Sequence, residues 1–114
     1  MVKSIIKEKS FEFAVKIVKL YKELNEEKEF IISKQLLRSG TSIGANIKEA
    51  LQGQSKADFI SKLSISLKEA VETEYWLELL IATKITKIEL KEYLKNIQEL
   101  IKILTSIIKT SKNK

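Results

Sequence analysis

The sequence contains no histidine, no cysteine and no proline, only three glycines and a single arginine. Histidine is the commonest general base and cysteine supplies thiolate nucleophiles, so most catalytic chemistry and most zinc or di-iron sites are excluded. The lack of cysteine also excludes disulfides and agrees with a reducing compartment. We therefore expect no enzyme activity, no metal and no cofactor.

Long apolar runs are also missing. No run approaches the roughly 20 residues that span a bilayer, and the amino terminus has no hydrophobic stretch typical of a signal peptide. A chain of 114 residues is enough for one compact domain with its own core. We predict a single cytoplasmic domain over residues 1–114, without membrane contact.

What is abundant is lysine. Lys and Arg together number 21 against 15 Asp and Glu, a formal net charge of +6. Such a balance favours polyanions or acidic protein surfaces as partners. Lysine favours diffuse phosphate attraction over bidentate base recognition, so sequence-specific readout of nucleic acid is disfavoured.

Apolar residues recur at intervals of three and four, the spacing of one helix face. The pattern predicts an all-α fold, an antiparallel up-down-up-down four-helix bundle with helices at about 9–24, 29–52, 56–83 and 87–110. Ser55 with Asp58 and Thr86 with Glu89 have the spacing of capping boxes at the third and fourth helices. Residues 1–8 and 111–114 are predicted to be frayed ends.

The third and fourth predicted helices carry more apolar residues than one core needs. The core stripe of the third helix is predicted to contain Leu63, Leu67, Ala70, Leu77 and Ile81. Further apolar residues project from its far side, and the apolar arc of the fourth helix covers about half its circumference. This surplus predicts self-association, through Ile65, Trp76, Leu80, Tyr93, Leu100, Ile103 and Ile107.

One carboxylate falls within that predicted core stripe. Glu74 lies between Ala70 and Leu77, and a lone buried carboxylate costs several kcal/mol unless it is paired or protonated. Ser42 and Asn46 on the second helix are predicted to donate to it, in a buried polar network that sets helix register. The alternative is a ligand-binding or catalytic carboxylate, which is disfavoured without a histidine or a second core carboxylate.

Residues 38–46 are rich in small side chains and include Gly40 and Gly44. A phosphate-binding loop is one interpretation, but the Walker pattern requires Gly-Lys-Ser/Thr after a strand, and both features are missing. Close approach of two helices explains the glycines better.

Three segments resemble a known family: residues 34–50 (KQLLRSGTSIGANIKEA), 56–70 (KADFISKLSISLKEA) and 72–77 (ETEYWL). They are similar to the bacterial four-helix-bundle family named for open reading frames in intervening sequences of large-subunit ribosomal RNA genes. The resemblance runs from Phe11 to about Leu104. Matching positions of the core motif are Arg38, Ser42, Ile43, Asn46 and Glu49, whereas Lys48 and Ala50 stand where many members carry Ala and Gly.

The resemblance implies an antiparallel four-helix protomer assembled as a ring-like homopentamer. It also implies kinship with the basic accessory proteins of diversity-generating retroelements, which bind nucleic acid and a reverse transcriptase. Most members of the family have no established activity, so the resemblance implies architecture rather than a role.

Lysines on the fourth predicted helix form a stripe that contains no acid. They lie within about 40° of one another on a helical wheel, with Glu92 and Glu99 close enough to pair with Lys95 and Lys102. Residues of the second helix are predicted to extend this field. The full set of candidate nucleic-acid ligands is Lys34, Arg38, Lys48, Lys91, Lys95, Lys102 and Lys109.

The sequence thus predicts a non-catalytic, homo-oligomeric scaffold that binds nucleic acid without sequence preference. The alternative is an assembly module whose basic charge serves an acidic protein partner, with no nucleic acid. A small enzyme is a more remote interpretation, because no residue set pairs a nucleophile with an activated base.

Overall fold

The computed structural model describes residues 2–113, which form four helices and no strand. The helices are α1 (Val2–Glu26), α2 (Ile32–Leu51), α3 (Lys56–Thr83) and α4 (Lys91–Lys112). Each helix packs against two others, in the cyclic order α1, α2, α3, α4, which leaves α1 and α3 diagonal and α2 and α4 diagonal. The predicted all-α four-helix bundle is confirmed. No helix within the described residues has an apolar stretch long enough to cross a membrane.

The core is built from the apolar stripes of α1, α2 and α4 that the sequence predicts. Ile17, Leu20, Ile43, Ile97 and Leu104 are all fully buried in it. Each comes from a helix whose apolar residues repeat at three and four, so burying that one face removes the stripe from water.

The core face of α3 is rotated from the predicted one. Leu80, expected on the far side, is fully buried, whereas Ile81, expected in the core, is 40% exposed. Ser66 and Thr73 occupy core positions instead, each fully buried. Two small polar residues on the true inner face weaken its apolar signal, so the sequence pattern indicated a neighbouring face.

These buried hydroxyls satisfy their hydrogen bonds between α2 and α3. Ser66 Oγ donates to the carbonyl of Ile43 at 2.9 Å, and Thr73 Oγ1 lies 2.8 Å from Ser39 Oγ. Burying a hydroxyl is costly without such a partner. A buried polar network therefore joins α2 and α3, with different members from those predicted.

The first helix begins at Val2, not at residue 9, so the prediction of a frayed amino terminus over residues 1–8 is wrong for residues 2–8. Ile6 is buried in the core, and the Lys3 ammonium lies 4.8 Å from the centroid of the Phe59 ring on α3. Met1 lies outside the described residues. Tertiary contacts thus order a segment whose own sequence is too polar to mark it as helical.

Helix starts are set by caps. Ser55 Oγ accepts from the Asp58 backbone N–H at 3.0 Å, which confirms that half of the predicted capping box. The expected box at Thr86 does not start α4, because Thr86 Oγ1 accepts from the Ile88 N–H and donates to Glu27. The fourth helix accordingly begins at Lys91, later than the predicted residue 87, and it continues to Lys112 rather than fraying from residue 111.

Candidate nucleic-acid interface

Four lysines of α4 form an exposed stripe along the outside of the bundle. They are Lys91, Lys95, Lys102 and Lys109, and all four side chains are exposed. From the first to the last, the stripe extends about 27 Å at 1.5 Å per residue. Within residues 2–113, none of the four side-chain ammonium groups forms an ion pair with a carboxylate, although the backbone N–H of Lys91 donates to Glu89 Oε1 at 3.1 Å.

The two glutamates expected to neutralise this stripe point elsewhere. Glu99 pairs with Lys9 at 3.2 Å and Glu92 pairs with Lys16 at 3.0 Å, so both carboxylates bridge to α1. The expected pairs with Lys95 and Lys102 inside α4 do not form. Cross-helix pairing leaves the lysine stripe, defined as Lys91, Lys95, Lys102 and Lys109, without acidic neighbours in ion-pair contact.

The basic residues predicted on α2 do not extend the lysine stripe. Lys34, Arg38 and Lys48 are all exposed, but α2 is diagonal to α4 in the bundle. Their charges therefore belong to a separate surface of the protomer. Lys48 lines a groove between α1 and α2, beside Lys7 and Glu8.

The Arg38 guanidinium forms ion pairs with two carboxylates of the same chain. It lies 3.1 Å from Glu69 Oε1 on α3 and also donates to Glu72 Oε2. The same Glu72 oxygen accepts from the Trp76 indole N–H at 3.0 Å. With two carboxylates on the guanidinium, Arg38 is a poor candidate for binding phosphate.

These contacts change the acidity of the groups involved. The Trp76 indole and the Arg38 guanidinium together hold the pKa of the Glu72 carboxyl below its ordinary value. The hydrogen bond to Glu72 correspondingly raises the pKa of Arg38. Both groups stay charged at neutral pH, so the cluster is a stable α2–α3 ion pair.

The family model of the 23S rRNA-intervening sequence protein matches residues 3–106 of this chain. The chain belongs to the 23S rRNA-intervening sequence protein family. A solved structure with a closely similar fold is a protein of unknown function from the S23 ribosomal protein family of Bacteroides thetaiotaomicron. It shares 62% identity, with 96% of this chain and 99% of that one covered, at a TM-score of 0.90. A comparison with curated proteins finds no match.

The polar residues of the motif by which the chain resembles the 23S rRNA-intervening sequence protein family make hydrogen bonds within α2 and to α3. Asn46 Nδ2 donates to the Ser42 carbonyl at 2.8 Å, and Ser42 Oγ donates to the Arg38 carbonyl at 2.5 Å. Glu49 accepts from Lys62 of α3 at 3.1 Å. The side chains of Ser42 and Asn46 therefore bond within α2, and Glu49 links α2 to α3.

The predicted network of Ser42, Asn46 and Glu74 does not form in this family member. Glu74 is partly exposed, and both α2 side chains bond to carbonyls of their own helix. The buried hydroxyl pair is Ser39 with Thr73, one position before Glu74 and one helical turn before Ser42. On α3, the single residue from Thr73 to Glu74 turns the side chain by about 100°, away from Ser39.

The predicted oligomer surface divides into buried and accessible members. Leu80 and Leu100 are fully buried inside the protomer, so the expectation that they contact another copy is wrong. Trp76 is half-buried against the core, and Ile65 is 41% exposed. The remaining three, on α4, are partly buried and packed against the core: Tyr93, Ile103 and Ile107.

Three exposed side chains on α1 had no place in the sequence prediction. Phe11 is 69% exposed, and Val15 and Val18 follow it on the same outer face. Their spacing of four and three is itself a helical stripe, opposite the core stripe of Phe13, Ile17 and Leu20. A second apolar stripe on one helix was the signal available in the sequence.

Proposed function

We propose that this protein is a non-catalytic, homo-oligomeric helical scaffold of the cytoplasm that binds RNA or DNA without sequence preference. Binding occurs through the lysine stripe. The observation that carries the proposal is that four lysines line one helix with no acid in ion-pair contact, because Glu92 and Glu99 are held by α1.

The chemistry of the lysine stripe suits phosphate rather than bases. Ammonium groups are point charges, and no aromatic ring is interleaved with them for base stacking. Each phosphate contact releases condensed counterions, so four weak contacts add up in affinity. An oligomer would repeat the stripe on every subunit and multiply the effect; the family resemblance favours five subunits.

The test changes Lys91, Lys95, Lys102 and Lys109 together to Gln. We expect weaker binding to RNA and to duplex DNA of unrelated sequences alike. The slope of log affinity against log salt should fall by about 3 to 4 per stripe engaged, since each neutralised phosphate contributes about 0.9. Fluorescence anisotropy titrations at several salt concentrations measure both quantities.

A matched control removes the same charge elsewhere. The control variant changes four other exposed lysines together to Gln: Lys19, Lys28, Lys84 and Lys87. It has the same net charge as the test variant and keeps the lysine stripe intact. The control should retain most of the affinity and of the salt slope. If both variants bind as the parent does, or lose affinity equally, the stripe is not the binding surface, and an acidic protein becomes the better candidate partner.

A further inference from the structure

The outer surface of the bundle has a concave apolar site on one side. A groove of about 680 Å³ runs between α1 and α2, and its apolar lining comes from Phe11, Ala14 and Ala45. Gly44 also lines the groove, and its missing side chain lets α2 approach Ser10 of α1 closely. The rim is charged: Lys7 and Lys48 flank the groove together with one acid, Glu8. We call this the α1–α2 groove.

The second half of α3 carries an acidic surface, opposite in charge to the rim of the α1–α2 groove. Residues 69–83 include four glutamates and no lysine or arginine, in a chain with a net charge of +6. Arg38 pairs with two of them, whereas Glu74 and Glu78 have no ion pair within residues 2–113. Between these two acids stands Tyr75, 55% exposed, with Val71 50% exposed one turn before it. We call Val71, Glu74, Tyr75 and Glu78 the Tyr75 face.

Tyr75 is held in place before any partner arrives. Its ring meets the Trp76 ring edge-on, with centroids 5.1 Å apart and an interplanar angle of 69°. Trp76 is in turn hydrogen-bonded to Glu72, which Arg38 holds. A projecting aromatic side chain of fixed orientation is the usual anchor of a protein interface, because little conformational entropy is lost on binding.

We infer that the α1–α2 groove of one copy receives the Tyr75 face of a second copy. The two surfaces complement each other in shape, a projecting ring against a groove floored by small residues. They also complement each other in charge, because Lys7 and Lys48 on the groove rim meet Glu74 and Glu78 beside the ring. A second copy as the occupant would cover the exposed apolar side chains of Phe11 in the groove and of Val71 and Tyr75 on the Tyr75 face.

The proposed contact is head-to-tail, because it joins two different surfaces of the protomer, the α1–α2 groove and the Tyr75 face of α3. A head-to-tail contact closes into a ring or continues as a filament, according to the rotation between neighbouring copies. The bundle measures 46 × 21 × 20 Å, so one side offers the roughly 800 Å² per partner that a stable interface needs. This inference rests on the self-association in the proposed function and assigns its surfaces.

The test is a pair of charge reversals and their combination. Lys7→Glu with Lys48→Glu makes both surfaces acidic, and Glu74→Lys with Glu78→Lys makes both basic. We expect either pair to weaken self-association about tenfold or more, since like charges then face each other. The chain carrying all four changes has swapped but complementary surfaces and should regain association. Sedimentation across a range of protein concentrations at low salt measures the assembly.

A reversal of the same size elsewhere serves as the control. Lys28→Glu with Lys87→Glu changes the net charge by the same amount as the Lys7 and Lys48 pair, at exposed sites outside both surfaces, and it should leave the assembly intact. Tyr75→Ser should dissociate the oligomer without loss of helicity. Rescue by the fourfold variant distinguishes the contact from a general effect of charge or from misfolding.

Two results would overturn the inference. One is an unchanged assembly in both charge-reversed pairs; the other is failure of the fourfold variant to associate while circular dichroism shows that it is folded. A parent protein that is monomeric throughout would remove self-association altogether. Nucleic-acid binding through the lysine stripe is measured separately on the same monomer, so the failures of the two proposals remain distinguishable.

Discussion

Gly40 lies where α2 packs closely against Ile17 of α1. A Cβ atom added there would be 2.9 Å from both Cγ1 and Cγ2 of Ile17. Because Ile17 is β-branched and fully buried, its side chain cannot rotate away at low cost. Glycine inside a helix costs about 1 kcal/mol relative to alanine, and the close packing of the two helices offsets that cost.

Gly40→Ala should therefore destabilise the protein by about 1 to 3 kcal/mol, the range typical of overpacked cores, despite the better helix propensity of alanine. Urea denaturation followed by circular dichroism measures the change. The matched control is Gly44→Ala, where the nearest atom to the added Cβ is the Ser10 carbonyl oxygen at 3.3 Å, so the cost should be smaller. An equal or higher stability of Gly40→Ala would show that Ile17 yields to the methyl group.

Trp76 affects stability through its packing and also through its effect on the ionisation of Glu72. Its indole N–H is the main cause of the lowered pKa of the Glu72 carboxyl. A carboxyl with a lower pKa in the folded than in the unfolded state adds stability above its unfolded pKa. That contribution disappears as the pH falls through the folded pKa.

The Trp76→Phe variant should accordingly have a Glu72 pKa closer to its ordinary value. Its loss of unfolding free energy should be larger at neutral pH than at about pH 2, because protonated Glu72 no longer distinguishes the two proteins. The packing part of the loss is independent of pH. Carboxyl NMR titration and denaturation at both pH values test this, and a stability difference that stays constant with pH would contradict it.

The start of α2 depends on a single glutamate. The Glu29 carboxylate accepts from the backbone N–H groups of Ile31, Ile32 and Ser33, the last at 2.6 Å. These N–H groups have no partner inside the helix. The negative charge of the carboxylate also interacts favourably with the positive end of the helix dipole. The carboxylate fills the role usually taken by a shorter N-cap residue, which explains why α2 begins at Ile32 rather than at the predicted residue 29.

Glu29→Ala should lower the free energy of unfolding by about 1 to 2 kcal/mol, the cost of losing a good N-cap. Thermal and urea denaturation give the value. Glu26→Ala is the control, since it removes the same charge from an exposed position at the end of α1. A loss no larger than that of the control would mean that water caps α2 equally well.

In the whole molecule, the apolar core provides most of the stability, and the surface ion pairs mainly determine the distribution of charge. The apolar core extends through all four helices, whereas Lys9–Glu99 and Lys16–Glu92 join the exposed edges of α1 and α4. Exposed pairs of this kind contribute about 0 to 1 kcal/mol each, so the core dominates stability. Their larger consequence is electrostatic, because they pair Glu92 and Glu99 with lysines of α1 instead of lysines of the stripe.

The pattern of apolar spacing was sufficient for the fold class, the number of helices and the core faces of α1 and α2, because those depend on neighbours three and four residues apart. On α4 it assigned Leu100 to an interface, whereas Leu100 is buried inside the protomer. The rotation of α3 was not predictable in this way. Leu80 and Ile81 are adjacent in sequence and similarly apolar, and only packing against α2 and α4 decides which is buried.

The ion pairs of the surface also depend on the tertiary structure. Glu92 and Glu99 have lysines within reach along α4, but in the folded protein they pair with Lys16 and Lys9 of α1 instead. Partners that lie 90 and 76 residues apart along the chain become neighbours only when α1 packs beside α4.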